Sequence, residues 1–195
     1  MIAFLKGNFV NKTPANVVVE VNGVGYDVQI SLNTFSAISQ LDNGLLYTHL
    51  QITENAHTLF GFATINEKLL FLQLIAVSGV GASTARMMLS GMKPEEIIKA
   101  IVQSNTAQLE KIKGIGRKSA ERLIVELKDK LAKLHDINVV SGLPTMPTVA
   151  SDAVDALIAL GIGKSLAEAT VKKTMKEADE HITLEMLIKL SLKNL

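Results

Sequence analysis

The chain has 195 residues, 48% of them hydrophobic, no cysteine and a net charge of +1. That describes one large folded domain or two to three small ones, and it excludes disulfides, thiolate metal sites and cysteine nucleophiles. No apolar run approaches the ~18 residues a membrane span needs, and Lys6, Asn8 and Asn11 come too early for a signal-peptide core, so a cytoplasmic protein is expected. His49, His57, His135 and His181 are scattered without an H-x-x-x-H pair, and no metal is expected.

Residues 1–62 read as five strands: MIAFLKGNFV, NVVVEVN, GYDVQISL, LLYTHLQIT and HTLFGFA, rich in β-branched and aromatic residues with partial alternation. Asn22-Gly23 joins two of them as a tight primed turn, because both turn positions need positive φ. A second turn falls at Glu54-Asn55-Ala56. Five short strands of this kind suit a small barrel of the oligonucleotide-binding type or an open meander.

From Ile65 the hydrophobic period becomes helical. Leu69, Leu70, Leu72, Leu74 and Ile75 mark a buried helix running up to Ser78-Gly79. Helices are then predicted at about 82–90, 94–103, 105–112 and 117–134. Residues 136–150, DINVVSGLPTMPTVA, carry Gly142, Pro144 and Pro147 with no clear period, which predicts a flexible linker. Residues 151–195 predict a three-helix bundle with apolar marks at Val154, Leu157, Ile158; Leu166, Ala169, Val171; and Leu184, Leu187, Ile188. The predicted division is therefore 1–62, 63–135, a linker over 136–150, and 151–195.

Charge follows the same borders. Residues 1–62 carry two Lys/Arg against four Asp/Glu, residues 63–135 twelve against seven, and residues 136–195 six against eight. Only the middle is basic, with Lys111, Lys113, Arg117, Lys118, Arg122, Lys128, Lys130 and Lys133 clustered near its end. Such a cluster fits a phosphate-binding surface, and a solvated helix face shows the same excess.

One pattern in this basic region occurs twice. Leu74, Val77, Gly79, Val80, Gly81, Thr84, Ala85 and Met88 align with Leu109, Ile112, Gly114, Ile115, Gly116, Ser119, Ala120 and Leu123. Both copies read helix, apolar-Gly-x-Gly turn, helix. Two copies are too few for a helical array, and the aromatics of a solenoid repeat are missing. Glycines at such a turn let the backbone approach a ligand, and the helix that starts there offers unsatisfied N–H groups and the positive end of its dipole to an anion. Val80 and Ile115 are placed to anchor each hairpin in the core, while Arg117 and Lys118 add charge beside the second. A contact of this kind holds the sugar-phosphate backbone and leaves the bases unread. The third candidate, LGIGKS at 160–165, lacks the glycine at 158 that a phosphate loop requires, and is predicted to be a plain turn between two bundle helices.

These residues resemble the RuvA family, the Holliday-junction-binding subunits of the bacterial branch-migration machine. The resemblance spans the chain through MIAFLKG, GVGYDV at 23–28, LFGF at 59–62, SGVG, GIGRKSAERLIVELKDKL and ALIALGIGKSLAEA, in family order and spacing. It implies a multidomain α and β fold: an N-terminal five-stranded OB-fold barrel, a helical domain with two helix-hairpin-helix motifs, and a small UBA-like C-terminal three-helix bundle. It further implies four-way junction DNA and the RuvB motor ATPase as partners, with RuvC resolvase in the larger complex and a homotetramer or octamer as the assembly. The processes implied are DNA recombination and repair, including the SOS response to DNA damage.

The family places an acidic pin at the Glu54-Asn55 turn, with two carboxylates where this chain has one; clustered carboxylates would repel phosphates from the centre of the plate. The first hairpin departs as well, having Ala82-Ser83-Thr84 where a lysine is usual, and Arg86 is either a compensating phosphate ligand or a solvated side chain. The expected DNA-binding set is Gly79, Val80, Gly81, Arg86, Gly114, Ile115, Gly116, Arg117, Lys118 and Arg122, with the second hairpin the stronger. Docking on the motor is assigned to Leu160, Ile162, Met186 and Leu187. No cofactor and no catalysis are expected: a glycosylase reading would have to use Asp136, which opens the linker, and a nuclease would need clustered acids that residues 1–135 lack.

Overall fold

The computed structural model describes residues 1–140, 149–177 and 182–194, which fall into two compact units, Met1–Val139 and Val140–Leu195. In the first unit, strands β1 (Phe4–Lys12), β2 (Asn16–Val21), β3 (Val24–Ile30), β4 (Asn43–Thr53) and β5 (Ala56–Phe62) close into a barrel in the order β1-β2-β3-β5-β4. The closure decides between barrel and meander: β1 pairs antiparallel with β4, and β3 pairs parallel with β5. Alternate residues point inward, placing Leu5, Phe9, Val17, Val19, Val28, Ile30, Leu46 and Leu59 in one buried cluster. Asn22 and Gly23 both take positive φ, +49° and +84°, as a primed hairpin turn demands.

A parallel β3–β5 pair needs a crossover between its strands. Helix α1 (Leu32–Ile38) begins that crossover and sends Ile38 into the barrel core. Sequence patterning misses this helix because it is short and holds poor helix formers. Its signal is the Ser31 cap, whose hydroxyl accepts from the Thr34 N–H, followed by Phe35 and Ile38 at a three-residue spacing.

Helices α2 (Ile65–Ile75), α3 (Ala82–Gly91), α4 (Pro94–Val102), α5 (Thr106–Glu110) and α6 (Arg117–Val140) follow. The change at residue 62 is one of secondary structure, and the packing runs straight through it. Phe60 and Phe62 of β5 stack against Phe71 of α2 with ring centroids 5.1 and 4.9 Å apart, and the three belong to the core that continues through α3, α4 and α6. Barrel and helices are thus two parts of one body. Polar contacts reinforce the joint: Asn33 Nδ2 donates to the carbonyls of Leu89 (2.6 Å) and Met92 (2.9 Å), and the Leu32 N–H donates to Ser90 Oγ at 3.1 Å.

A buried carboxylate completes this joint. Glu67 on α2 is 3% exposed and accepts hydrogen bonds from the hydroxyls of Ser31, the cap of α1, and Thr34 in its first turn. Burial pushes its carboxyl above the ordinary 4.5, an effect that the two hydroxyls and the Ala63 N–H oppose and that Glu95 adds to. A raised carboxyl means that the folded chain holds this proton more tightly than the unfolded chain does. The stability the group contributes is therefore complete below about 4.5 and is lost as pH rises through the folded value. Urea unfolding at a series of pH values should show the stability difference between the native chain and Glu67→Gln shrinking as pH rises from 4.5. A difference that grows instead would mean that the hydroxyls, and not burial, set the proton affinity.

Helix α6 continues through Val140, beyond the predicted border at 135, and the next helix starts at Val149. The centre of the predicted linker, residues 141–148, lies outside the described residues. In the second unit, α7 (Val149–Ala159), α8 (Lys164–Glu177) and α9 (Leu184–Lys193) pack around Ala153, Leu157, Ala167, Val171 and Leu187. The inward face of α8 is Ala167, Thr170, Val171 and Thr174, so the predicted core positions Leu166 and Ala169 point to solvent. The predicted stripe takes Leu166 for its greater hydrophobicity, whereas Ala167 is the residue that the helix turns inward.

Candidate nucleic-acid interface

The sequence repeat is a repeat of backbone geometry. Gly79 and Gly114 take φ of +89° and +92°, a left-handed conformation that a side chain would strain. In the first hairpin the Val77 N–H donates to the Leu74 carbonyl, Val80 to Val77 and Ala85 to Gly81, at 3.1, 3.0 and 2.9 Å. In the second, Ile112 donates to Leu109, Ile115 to Ile112 and Ala120 to Gly116, at 3.1, 3.0 and 3.0 Å. Each bond recurs 35 positions on. The apolar partners recur too: Val77, Val80, Ala85 and Met88 are buried, as are Ile112, Ile115, Ala120 and Leu123.

Burial divides the roles within each turn. Val80 and Ile115 are each 5% exposed and spend their N–H groups inside the turn, so their side chains anchor the hairpins in the core. Gly79, Gly81, Gly114 and Gly116 are exposed. Gly81 is the N-cap of α3 and supplies no side-chain hydrogen bond, which leaves the first-turn N–H groups of that helix without a side-chain cap.

The charged candidates separate into three kinds. Arg117 and Lys118 project from the first turn of α6 beside the second hairpin, both exposed. Arg117 is bonded through Nε to Glu121 at 2.9 Å, and this bond with the nearby Glu121 and Glu110 charges raises its proton affinity further, so it stays cationic. Arg86 does otherwise: its Nη1 donates to the Ala15 carbonyl in the β1–β2 loop at 3.0 Å, which draws the side chain toward the barrel as a tether. Its sequence position suggested a phosphate ligand or a solvated side chain, and this contact with the barrel loop is one that the sequence did not show. Arg122, grouped by sequence with the second hairpin, donates from Nη1 to the Ser78 carbonyl of the first at 3.0 Å.

Glu54 and Asn55 form the two-residue tip between β4 and β5, exposed, with Thr53 paired to Ala56 at its base. In the second unit Leu160 and Met186 are 64% and 55% exposed, Ile162 is half-buried against the core and Leu187 is fully buried. The Leu187 side chain holds the bundle together and has no surface to offer a partner, which removes it from the docking set. Gly161 takes φ of +92°, like the hairpin glycines, but the Ile162 N–H reaches back five residues to the Leu157 carbonyl, where Val80 and Ile115 reach back three. Its turn ends a continuous helix and is not a third copy.

Among the described residues no helix is long and apolar enough to cross a membrane, and no group of three or more His, Asp or Glu comes together as a metal cage.

A closed five-stranded barrel packed through its last strand on a tandem helix-hairpin-helix, with exposed glycines and cations at the turns, defines the class of proteins that grip nucleic acid by its backbone. The family model described as the RuvA N terminal domain matches residues 1–61, and that of the SAM-like helix-hairpin-helix tandem matches residues 71–129. Three relatives named Holliday junction branch migration complex subunit RuvA are similar over essentially their whole length. Those of Christiangramia forsetii and Flavobacterium psychrophilum are each 45% identical, with 100% of this chain and 100% of the relative covered. That of Chromobacterium violaceum is 41% identical, with 100% of this chain and 98% of the relative covered. The chain belongs to the RuvA family.

Proposed function

We propose that this chain is the non-catalytic DNA-binding subunit of a branch-migration complex. It binds four-way junction DNA without sequence specificity, holds it open and planar, and brings the RuvB ATPase to it in recombination and repair. The observation that carries this reading is the pair of hairpins with one backbone geometry, each presenting glycines and helix-start N–H groups. Such a pair suits two points on a phosphate backbone and supplies no base readout.

The parts divide the work. The barrel, residues 1–62, carries the Glu54–Asn55 tip as a pin that keeps phosphates from the centre. Residues 63–135 hold the backbone through Gly79, Gly81, Gly114, Gly116, Arg117, Lys118 and Arg122. Residues 151–195 dock on the motor through exposed apolar residues, Leu160 and Met186 among them. Four subunits in the cytoplasm form the plate, and RuvC resolvase joins the larger complex.

The test is gel-shift competition between a synthetic four-way junction and linear duplex of equal length, with the products examined for cleavage. Strong preference for the junction and intact DNA are expected. Equal affinity for both would end this reading, and cut strands would point to a nuclease.

A further inference from the structure

The two hairpins are unequal in sequence. At the offset of 35, Ala82 and Ser83 of the first stand where Arg117 and Lys118 stand in the second. Arg86, the remaining cation of α3, is drawn away to the Ala15 carbonyl. Residues 77–85 contain no Lys or Arg, so the first hairpin has no cation of its own at its turn.

The fold supplies one from elsewhere. Arg122 on α6 donates from Nη1 to the Ser78 carbonyl at 3.0 Å, and a side-chain carbon at Gly79 would lie 3.8 Å from the same nitrogen. The reciprocal contact exists as well: a side-chain carbon at Gly114 would lie 4.0 Å from the Met87 methyl. Met87 and Arg122 occupy the same place in the repeat, 35 positions apart. Each hairpin is thus flanked by the second helix of the other, and the exchange gives the first hairpin a guanidinium and the second a thioether.

Resting on the DNA-binding reading above, we infer that Arg122 is the cationic phosphate ligand of the first hairpin. Its chemistry fits a double duty. A guanidinium has five N–H donors in a planar fork, so one can fix the Ser78 carbonyl while others face a phosphate at the adjacent turn. Glu126 competes weakly, its carboxylate standing 3.8 Å from Nε, and the Arg122 side chain is 53% exposed. The charge deficit visible along the chain is made good across the fold, and the cations divide into Arg122 for the first hairpin and Arg117 with Lys118 for the second.

The experiment is a set of full-length variants titrated with a synthetic four-way junction over a range of salt. Arg122→Gln should weaken binding and lower the salt slope by about one per protomer, with the unfolding midpoint lowered only slightly by loss of the exposed Ser78 bond. Placing a lysine in the first hairpin, Ser83→Lys, should restore most of the loss in the Arg122→Gln background and add little to the native chain. Lys118→Gln should combine additively with Arg122→Gln. The inference is overturned if Ser83→Lys adds the same increment in both backgrounds, if Arg122→Gln couples to Lys118→Gln instead, or if Arg122→Gln leaves affinity and slope unchanged. The underlying reading fails separately, through a native chain that shows no junction binding or no salt dependence.

Discussion

Reversing the charge of Arg117 and Lys118 to glutamate is expected to weaken junction binding for every sequence tested alike and to flatten its dependence on salt. A protein that neutralises phosphates releases condensed counterions, and the logarithm of its affinity falls linearly with the logarithm of salt concentration in proportion to the contacts made. Two contacts removed from each protomer should therefore reduce the slope by about two per protomer. The fold should tolerate the change, since both side chains are exposed. The structural partner given up is Glu121, in a surface pair of the kind that contributes little to stability. Titrations of the native and variant chains at four or more salt concentrations would decide the matter. Parallel lines of equal slope would remove these two residues from the phosphate contacts and place them among the solvated charges of α6.

Deleting residues 149–195 is expected to leave junction affinity at its native level and to abolish stimulation of the motor's ATPase and of branch migration. The buried cluster of the second unit draws on Ala153, Leu157, Ala167, Val171 and Leu187, and neither buried cluster of the first unit includes a residue beyond Leu131. Each unit thus has buried clusters made of its own residues. The bundle's charge points the same way: residues 136–195 hold six Lys/Arg against eight Asp/Glu, an unfavourable balance for holding phosphates. Gel shift on the truncated chain measures the first half of the expectation and motor turnover on junction DNA the second. Full stimulation by the truncated chain would move the docking surface out of the bundle.

Much of this architecture is legible in the sequence because local chemistry dictates it. Asn22-Gly23 fixes a primed turn, alternation of Val and Ile marks the strands, and a Gly-x-Gly repeat at constant offset identifies two turns of one kind. What is not legible depends on contacts between distant segments. The parallel pairing of β3 with β5 leaves no mark in either strand. Arg86 and Arg122 look alike as exposed helix cations, yet one is held by a carbonyl 71 positions away and the other by a carbonyl 44 positions away. Leu187 and Met186 are neighbours of similar hydrophobicity, and helix rotation alone sends the first inward and the second out. Helix α1 is hard to read for a different reason: it is short, and its contacts are Ile38 in the barrel core and the Ser31 and Thr34 bonds to Glu67 on α2.

The stacking of Phe60 and Phe62 on Phe71 has a structural consequence. Strand β5 starts at the Glu54–Asn55 tip and ends at these rings, and α2 starts beside them and ends at the first hairpin. Strand β5 and helix α2 are joined by this ring packing, and α2 is tied to α1 by the bonds of Glu67 to Ser31 and Thr34. On the proposed reading, the tip and the hairpin meet the junction as parts of one compact unit.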